Sequence, residues 1–228
     1  CLFDGFDLTV ADGEFVSVVG SNGSGKTSML NILCGSISVD GGKILMNGKD
    51  ITNKKEFKRN RNIGRVYQNP SMGTCPSMTI LENMSLADNK GKFFGLGAGI
   101  NKARREEYRE MLSQLGLGLE NKMDVKVGVL SGGQRQHLTI ARALVKKPEI
   151  LILDDNLSAL DFATDAALRK ALAGLEGETT TFLVSQRVAG IRQADKILVL
   201  DNGELAGSGT HDELMKSCEV YREIYFSQ

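Results

Sequence analysis

The octapeptide at residues 20–27 constrains this chain more than any other segment. It reads Gly-Ser-Asn-Gly-Ser-Gly-Lys-Thr and fits G-x-x-x-x-G-K-[ST], the pattern of a phosphate-binding loop. An apolar, β-branched run at residues 14–19 precedes it and predicts a strand, and residues 28–33 predict the first turns of a helix. In that context the glycines let the backbone wrap a phosphate, at which the N–H groups of the loop and helix start point.

The motif also assigns roles to side chains. Lys26 is expected to reach the β- and γ-phosphates of a nucleotide, and the Thr27 hydroxyl to hold Mg²⁺. Other predicted nucleotide contacts lie around these two residues: Ser21, Asn22, Gly23, Ser24, Gly25 and Ser28. The alternative, a chance glycine-rich turn before a helix, must account for every motif position and for both flanks.

Composition excludes several classes of function. The 228 residues suffice for one domain with a sizeable core, and 28 basic residues balance 28 acidic ones, so we expect no nucleic-acid partner. No apolar run approaches the roughly 18 residues that span a bilayer, and the start does not read as a signal peptide. The cysteines have no zinc or disulfide spacing and predict reduced thiols in a cytosolic protein: Cys1, Cys34, Cys75 and Cys218.

The distribution of apolar residues predicts an α/β sheet with right-handed crossovers. Short, fully apolar runs, such as residues 150–153, are typical of buried parallel strands. Strands are expected at residues 8–10, 14–19, 43–46, 63–67, 150–153, 181–184 and 196–200. Helices are expected from residue 25 and at residues 79–86, 102–115 and 162–175. Residues 90–100 are glycine-rich and predict a loop.

Two polar groups are interpreted as structural. Residues 210–213, Thr-His-Asp-Glu, form a capping box, which makes His211 part of a helix start and not a catalyst. A basic run could touch phosphate, but an exposed helical face is the favoured interpretation. Its members are Lys54, Lys55, Lys58, Arg59 and Arg61.

A second glycine-rich helix start lies at residues 130–134, Leu-Ser-Gly-Gly-Gln. Two glycines and a serine there can form another anion-binding nest, although an ordinary helix entry has the same composition. Its position ahead of an apolar strand that ends in Asp154-Asp155 favours the functional interpretation.

With these motifs in this order, the chain resembles the ATP-binding subunit or domain of an ABC transporter over essentially its whole length. Residues 20–27 match the Walker A loop, and Gln68 the Q-loop. Further matches are residues 130–134 (signature), 150–154 (Walker B), 158–161 (D-loop) and 184–187 (switch). The resemblance implies a P-loop NTPase (RecA-like) α/β core with a mixed sheet. It implies one ABC ATP-binding domain at residues 1–228, with a helical signature lobe inserted at residues 71–147.

The resemblance further implies a site shared by two such domains. ATP would lie between Lys26 and Thr27 of one domain and the signature residues of the other: Ser131, Gly132, Gly133 and Gln134. Mg²⁺ would be held by Thr27, by Gln68 and, through water, by Asp154. The lobe and the Gln68 loop would receive a transmembrane permease subunit, which places the protein in the cytoplasm, peripheral on the inner face of the cell membrane.

Lys26, Asp155 and Gln186 are the expected catalytic residues, and the last two depart from the family's pattern. Asp155 replaces the Glu that serves as catalytic base and is one methylene shorter. Gln186 replaces the switch His and cannot carry a proton or a positive charge. Because general-base catalysis is worth about 10²–10⁴-fold, we predict retained ATP binding with weakened hydrolysis. Such paired changes resemble the degenerate half of heterodimeric exporters.

The two ends resemble different branches. Residues 1–128 resemble a bacterial uptake-system ATPase and residues 138–228 a heterodimeric exporter half, so a chimera is one hypothesis and uneven drift of one lineage the other. The family's adenine-stacking aromatic lies upstream of the 19 residues that precede Gly20. We therefore expect that platform to be missing and a sheet edge to be left unpaired.

The leading functional hypothesis is an ATPase subunit that powers solute transport. A regulatory or degenerate module that clamps on ATP with little turnover is the main alternative, together with an engineered chimeric domain. A soluble ABC-type ATPase of DNA repair or translation is disfavoured, because the chain has neither a coiled-coil insertion nor a tandem ATPase domain. The transported substrate and the direction of transport depend on membrane segments that are not in this sequence.

Overall fold

The computed structural model describes residues 2–92, 99–154, 179–184, 192 and 194–227. Its strands are β1 (Phe15–Gly20), β2 (Leu45–Met46), β3 (Lys49–Asp50), β4 (Ile63–Val66), β5 (Ile150–Asp154), β6 (Thr180–Val184), β7 (Lys196–Asp201) and β8 (Glu204–Gly209). Its α-helices are α1 (Lys26–Cys34), α2 (Glu56–Arg59), α3 (Ile80–Asp88), α4 (Arg105–Leu115), α5 (Gly132–Leu144), α6 (His211–Ser217) and α7 (Glu219–Phe226). Short 3₁₀ turns lie at Pro70–Gly73, Lys102–Arg104, Leu119–Asn121 and Val127–Val129.

A six-stranded mixed sheet orders its strands β4-β5-β6-β1-β7-β8, and β2 pairs with β3 in a separate hairpin. Five of the six strands are parallel, and only β8 runs antiparallel, against β7. The predicted α/β class with a mixed sheet is therefore confirmed. Because β1 and β5 both run parallel to β6, their carboxyl ends, Gly20 and Asp154, meet at one edge of the sheet.

Helices cover both faces of the sheet. Along β5, Ile152 belongs to an apolar cluster with Val18 and with Leu30 of α1, whereas Leu151 belongs to a cluster with Leu138 of α5. Successive side chains of a strand point to opposite faces, so α1 and α5 lie on opposite sides. A fully buried parallel strand needs this two-sided cover, which explains its continuous apolar sequence.

Between β4 and β5 the described residues form helices and one isolated bridge, from Thr79 to Lys126. Helices α3 and α4 confirm those predicted at residues 79–86 and 102–115, and their shared core includes the fully buried Tyr108 and Leu112. The limits of the lobe at residues 71–147 stay a prediction. The predicted helix at residues 162–175 and most of the predicted loop at 90–100 lie outside the described residues.

The strand predicted at residues 8–10 is wrong, since residues 6–11 have no regular secondary structure. Leu8 and Val10 instead pack half-buried against the apolar cluster around α1. Both edges of β1 are already occupied, by β6 and β7, so this segment finds no free edge there. The sequence analysis did not predict strand β8. This strand is half-exposed, lies at the edge of the sheet and contains two glycines, so its sequence lacks a strong apolar run.

The capping box at residues 210–213 is confirmed. Thr210 Oγ1 accepts from the backbone N–H of Glu213 at 3.4 Å, and Glu213 Oε2 accepts from that of Thr210 at 2.8 Å. His211 opens α6 and its Nδ1 lies 2.8 Å from the hydroxyl of Tyr221 in α7. The interpretation of His211 as structural therefore agrees with its contacts.

The basic run is not uniformly an exposed face, because Arg59 is buried. Its guanidinium donates to the carbonyl oxygens of Ile32 at 2.7 Å and Leu33 at 3.2 Å, in the last turn of α1. It also donates to those of Thr52 at 2.5 Å and Lys54 at 3.0 Å, while the other four members of the run are exposed. Burial lowers the pKa of Arg59, yet a guanidinium stays charged in proteins. Arg59 thus satisfies carbonyls that end α1 and its cation faces the negative end of that helix.

We expect Arg59→Met to lower the free energy of unfolding by about 1.5–3 kcal/mol, the range for buried hydrogen bonds to a charged group. The change removes a charged donor from the partly buried carbonyl oxygens of Ile32, Leu33 and Thr52. Urea unfolding of both proteins measures the difference, and Lys58→Met, at the exposed neighbouring position, should leave stability within about 0.5 kcal/mol. Equal stabilities for Arg59→Met and the parent would contradict the capping role.

Candidate functional site

At the start of the loop between β1 and α1, the backbone leaves no room for a side chain, so only glycine fits there. A Cβ on Gly20 would lie 2.2 Å from the carbonyl oxygen of Leu200 and 2.5 Å from Ser24 Oγ. Gly25, at φ 105°, holds the left-handed conformation from which α1 begins. The backbone of the loop is therefore pressed against β7 and turns directly into a helix N-terminus.

Lys26 folds back across this loop. Its Nζ donates to the carbonyl oxygens of Gly20 at 2.8 Å and Ser21 at 2.7 Å. The carbonyl of Ser24 accepts from the N–H of Gly203 at 3.1 Å, which ties the loop to the turn between β7 and β8. An ammonium group and the N-terminus of α1 thus lie at the same edge of the sheet, an arrangement that suits an anion.

A cavity of about 320 Å³ opens beside the loop, within the range of small-molecule sites. Most of its lining was predicted from the sequence: Asn22, Gly23, Gly25, Lys26, Thr27, Ser28, Gln68 and Asp154. Leu2 and Val184 also line it and were not predicted as contacts. Of the other predicted loop contacts, Ser24 is buried and Ser21 is exposed outside the lining.

Asp154, at the end of β5, pairs with a cation that the sequence analysis missed. Arg65 Nη2 lies 3.0 Å from Asp154 Oδ2, and Arg65 Nη1 donates to Asn31 Oδ1 in α1 at 2.7 Å. Burial is the largest single influence on Arg65 and opposes its charge, but the hydrogen bond to Asp154 and the attraction of nearby groups together raise the pKa of the guanidinium. The available signal was a charged residue inside the otherwise apolar strand Ile-Gly-Arg-Val.

The signature residues form a helix start away from the cavity. Ser131 caps α5, with its Oγ accepting from the N–H of Gln134 at 3.3 Å and its own N–H donating to Gln134 Oε1 at 3.3 Å. Gly132 and Gly133 are exposed, and a Cβ on Gly132 would meet no atom within 4 Å. None of these four residues lines the cavity beside Lys26. Within one chain, the fold does not place the signature in that cavity.

Two predicted catalytic residues, Asp155 and Gln186, lie outside the described residues, as does the predicted D-loop at residues 158–161. Their roles stay predictions. Asp154 and Val184 are the described residues nearest to them in sequence, and both line the cavity.

The groups around the cavity fit a magnesium nucleotide. Lys26 and loop N–H groups suit phosphate, and the hydroxyl of Thr27 with the carboxylate of Asp154 offers the oxygen ligands that Mg²⁺ prefers. Among the described residues, no group of three or more His, Cys, Asp or Glu side chains could hold a metal by itself.

Two further properties concern the described part of the chain. Cys34, Cys75 and Cys218 are free thiols there. None of the helices described has the length and apolar character needed to cross a membrane.

Comparison with known proteins gives consistent matches. The family model described as ABC transporter matches residues 3–158. A tyrosine transport ATP-binding protein of Clostridioides difficile is 38% identical over 207 residues, which cover 90% of this chain and 82% of that protein. A probable multidrug resistance ABC transporter ATP-binding/permease protein of Bacillus subtilis is 36% identical over 220 residues, 96% of this chain.

The second of these relatives is much longer, and the chain spans 32% of it. Among solved structures, the ADP conformation of an ATP-binding cassette of an ABC transporter matches with a TM-score of 0.80 and 26% identity. The match covers 100% of this chain and 93% of that one.

Proposed function

Because this chain belongs to the ABC transporter ATP-binding family, whose ATPase fold it shares, we propose that it binds Mg-ATP and hydrolyses it slowly to power solute transport by a membrane-spanning partner. The observation that carries the proposal is the cavity where Lys26, Thr27, Gln68 and Asp154 come together at the carboxyl edge of the sheet. The fold alone would not support this function, because one fold can carry many different functions and the residues of the site decide among them.

Each group around the cavity has a role in binding. The loop N–H groups and Lys26 would hold the β- and γ-phosphates, and Thr27 and Asp154 would hold the metal, with Gln68 beside the γ-phosphate. When bound, Mg²⁺ neutralises charge on the transferring phosphoryl group. The described chain supplies positioning and electrostatic stabilisation for in-line attack by water, which is most of what phosphoryl transfer requires.

A second ATP-binding domain is the proposed partner across the nucleotide. The exposed signature glycines lie outside the cavity of their own chain, which supports a site completed by the signature of another copy or of a related domain. A permease subunit is the proposed second partner. Docking on it would place the chain at the inner face of the membrane.

Slow turnover is the finer part of the proposal, and Asp155 and Gln186 support it by their chemistry. A shorter carboxylate and an uncharged amide replace the base and the switch residue expected from the family. The alternative function is a regulatory module that closes on ATP and hydrolyses little, which the same two residues favour.

The relatives do not single out a transported solute. One is named for tyrosine transport, one for multidrug resistance and one for spermidine and putrescine import. Relatives of both branches align along most of this chain, and the family model crosses residues 128–138, so nothing in these matches supports a chimera. Separate alignments of residues 1–128 and 138–228 would test that hypothesis.

Steady-state Mg-ATP turnover tests the proposal. We expect the parent to be slow and Asp155→Glu combined with Gln186→His to raise turnover at least tenfold, about 1.4 kcal/mol of barrier. The same two chemical changes at exposed positions, Asp40→Glu with Gln114→His, should have no effect. Rapid turnover by the parent would refute the weakened hydrolysis, and a chain that binds no ATP would refute the proposed function.

A further inference from the structure

Arg65 is a largely buried cation that touches the proposed nucleotide site through Asp154. Along β4, Ile63 belongs to the cluster around α1 and Val66 to the cluster around α5, so the alternation of side chains puts Arg65 on the α1 face. Its side chain is 11% exposed. Burial of a guanidinium costs desolvation free energy unless charged and polar partners surround it. The partners of Arg65 therefore indicate its role.

The partners of Arg65 come from three segments that build the site. Asp154 at the end of β5 contributes its carboxylate at 3.0 Å, and Asn31 in α1, the helix that follows the phosphate loop, its amide oxygen at 2.7 Å. The guanidinium also lies 4.8 Å from the ring centroid of Tyr67, the residue before Gln68. Arg65 therefore links the loop helix, the metal-binding strand and the start of the Gln68 segment.

We propose that Arg65 is the resident counter-ion of Asp154, a positioning residue that lets the site bind nucleotide without Mg²⁺ and lowers its affinity for the metal. This role rests on the proposed Mg-ATP site. Arg65 would share the Asp154 carboxylate with any metal held there, and its positive charge repels the metal. Toward a metal-free nucleotide the same charge cancels the repulsion between Asp154 and the phosphates.

Removal of the charge separates this role from simple structural support. In Arg65→Met, Asp154 faces the phosphates without compensation, so binding of metal-free nucleotide weakens while Mg²⁺ becomes a stronger requirement. Arg65→Lys keeps a positive charge and should restore part of the parent behaviour. Loss of structure alone would weaken binding equally with and without the metal.

The experiment titrates the full chain with trinitrophenyl-ATP, once in EDTA and once in saturating Mg²⁺, and follows the fluorescence of the bound analogue. We expect the ratio of Kd in EDTA to Kd in Mg²⁺ to rise about tenfold in Arg65→Met, equivalent to about 1.4 kcal/mol. The matched change Arg61→Met, at an exposed position, should leave the ratio unchanged. Asp154→Asn should abolish the effect of Arg65→Met on the ratio.

Three results would overturn the role. An unchanged ratio with parallel losses would make Arg65 structural, and a lower ratio would mean that Arg65 orients Asp154 for the metal. If the parent bound no analogue in either condition, the proposed function would fail, and the role of Arg65 with it. Urea unfolding of each variant accompanies the titrations, so that an unfolded variant is recognised. If Arg65→Met does not fold, the ratio of the two Kd values in Arg65→Lys tests the role instead.

Discussion

Lys26→Ala is expected to weaken the binding of Mg-ATP and to lower its turnover by about 10²–10³-fold, the loss of turnover typical of removing one group that stabilises transition-state charge. Lys26 is the cationic side chain that lines the cavity together with the phosphate loop. Its Nζ already bonds the loop carbonyls of Gly20 and Ser21, so the ammonium is held beside the phosphate position before nucleotide arrives. A pre-positioned charge loses little conformational entropy on binding.

Binding of trinitrophenyl-ATP and phosphate release measure the two losses separately. Lys43→Ala removes the same charge at an exposed position and should leave both unchanged. Since Lys26→Ala also removes hydrogen bonds within the loop, unfolding must be measured alongside. A folded Lys26→Ala variant that binds ATP as the parent does would refute the assignment of the cavity as a nucleotide site.

Ser131→Arg is expected to abolish ATP-dependent dimerisation and to lower turnover about 10²-fold or more, while each single chain still binds nucleotide. A long charged side chain at the exposed end of α5 would block the close approach that the proposed two-chain site requires. Because Ser131 does not line the cavity beside Lys26, binding within one chain should survive. Retained binding with lost turnover is the result expected of a site that a second domain completes.

Size-exclusion chromatography with and without ATP follows the dimer, and phosphate release follows turnover. Ser113→Arg, at an exposed position of α4, is the matched control and should change neither. Loss of the Ser131 cap could destabilise α5 by about 1 kcal/mol, which Ser131→Ala measures without the added bulk. Normal turnover by Ser131→Arg would show that the signature takes no part in the site.

Local signals in the sequence were sufficient to predict much of the fold and most of the residues that line the cavity. Residues 20–27 join a strand to a helix as predicted, because a glycine-rich loop, its lysine and its flanking periodicities act within one short segment. The buried parallel strands were found by their continuous apolar runs, and the start of α6 by its capping box. In each case the cause lies within a few residues of the effect.

The errors have the opposite character. Residues 8–10 have a strand-like pattern, but both edges of β1 are occupied, and β8 is an edge strand that pairs with β7 among the described strands. Arg59 was predicted to belong to an exposed basic run, but in the structure its guanidinium bonds a carbonyl oxygen in the last turn of α1. Strand formation and the burial of a charge both depend on partners that are distant in sequence.

The sequence by itself determined that this chain has a phosphate-binding loop, an α/β core and the motifs of an ABC ATP-binding domain, because these are properties of short segments and their order. Only the tertiary structure decided that Asp154 shares its carboxylate with Arg65, 89 residues away, and that the signature stays outside the cavity of its own chain. Charge pairing and the division of a site between chains are set by distances in space, which spacing along the sequence does not encode.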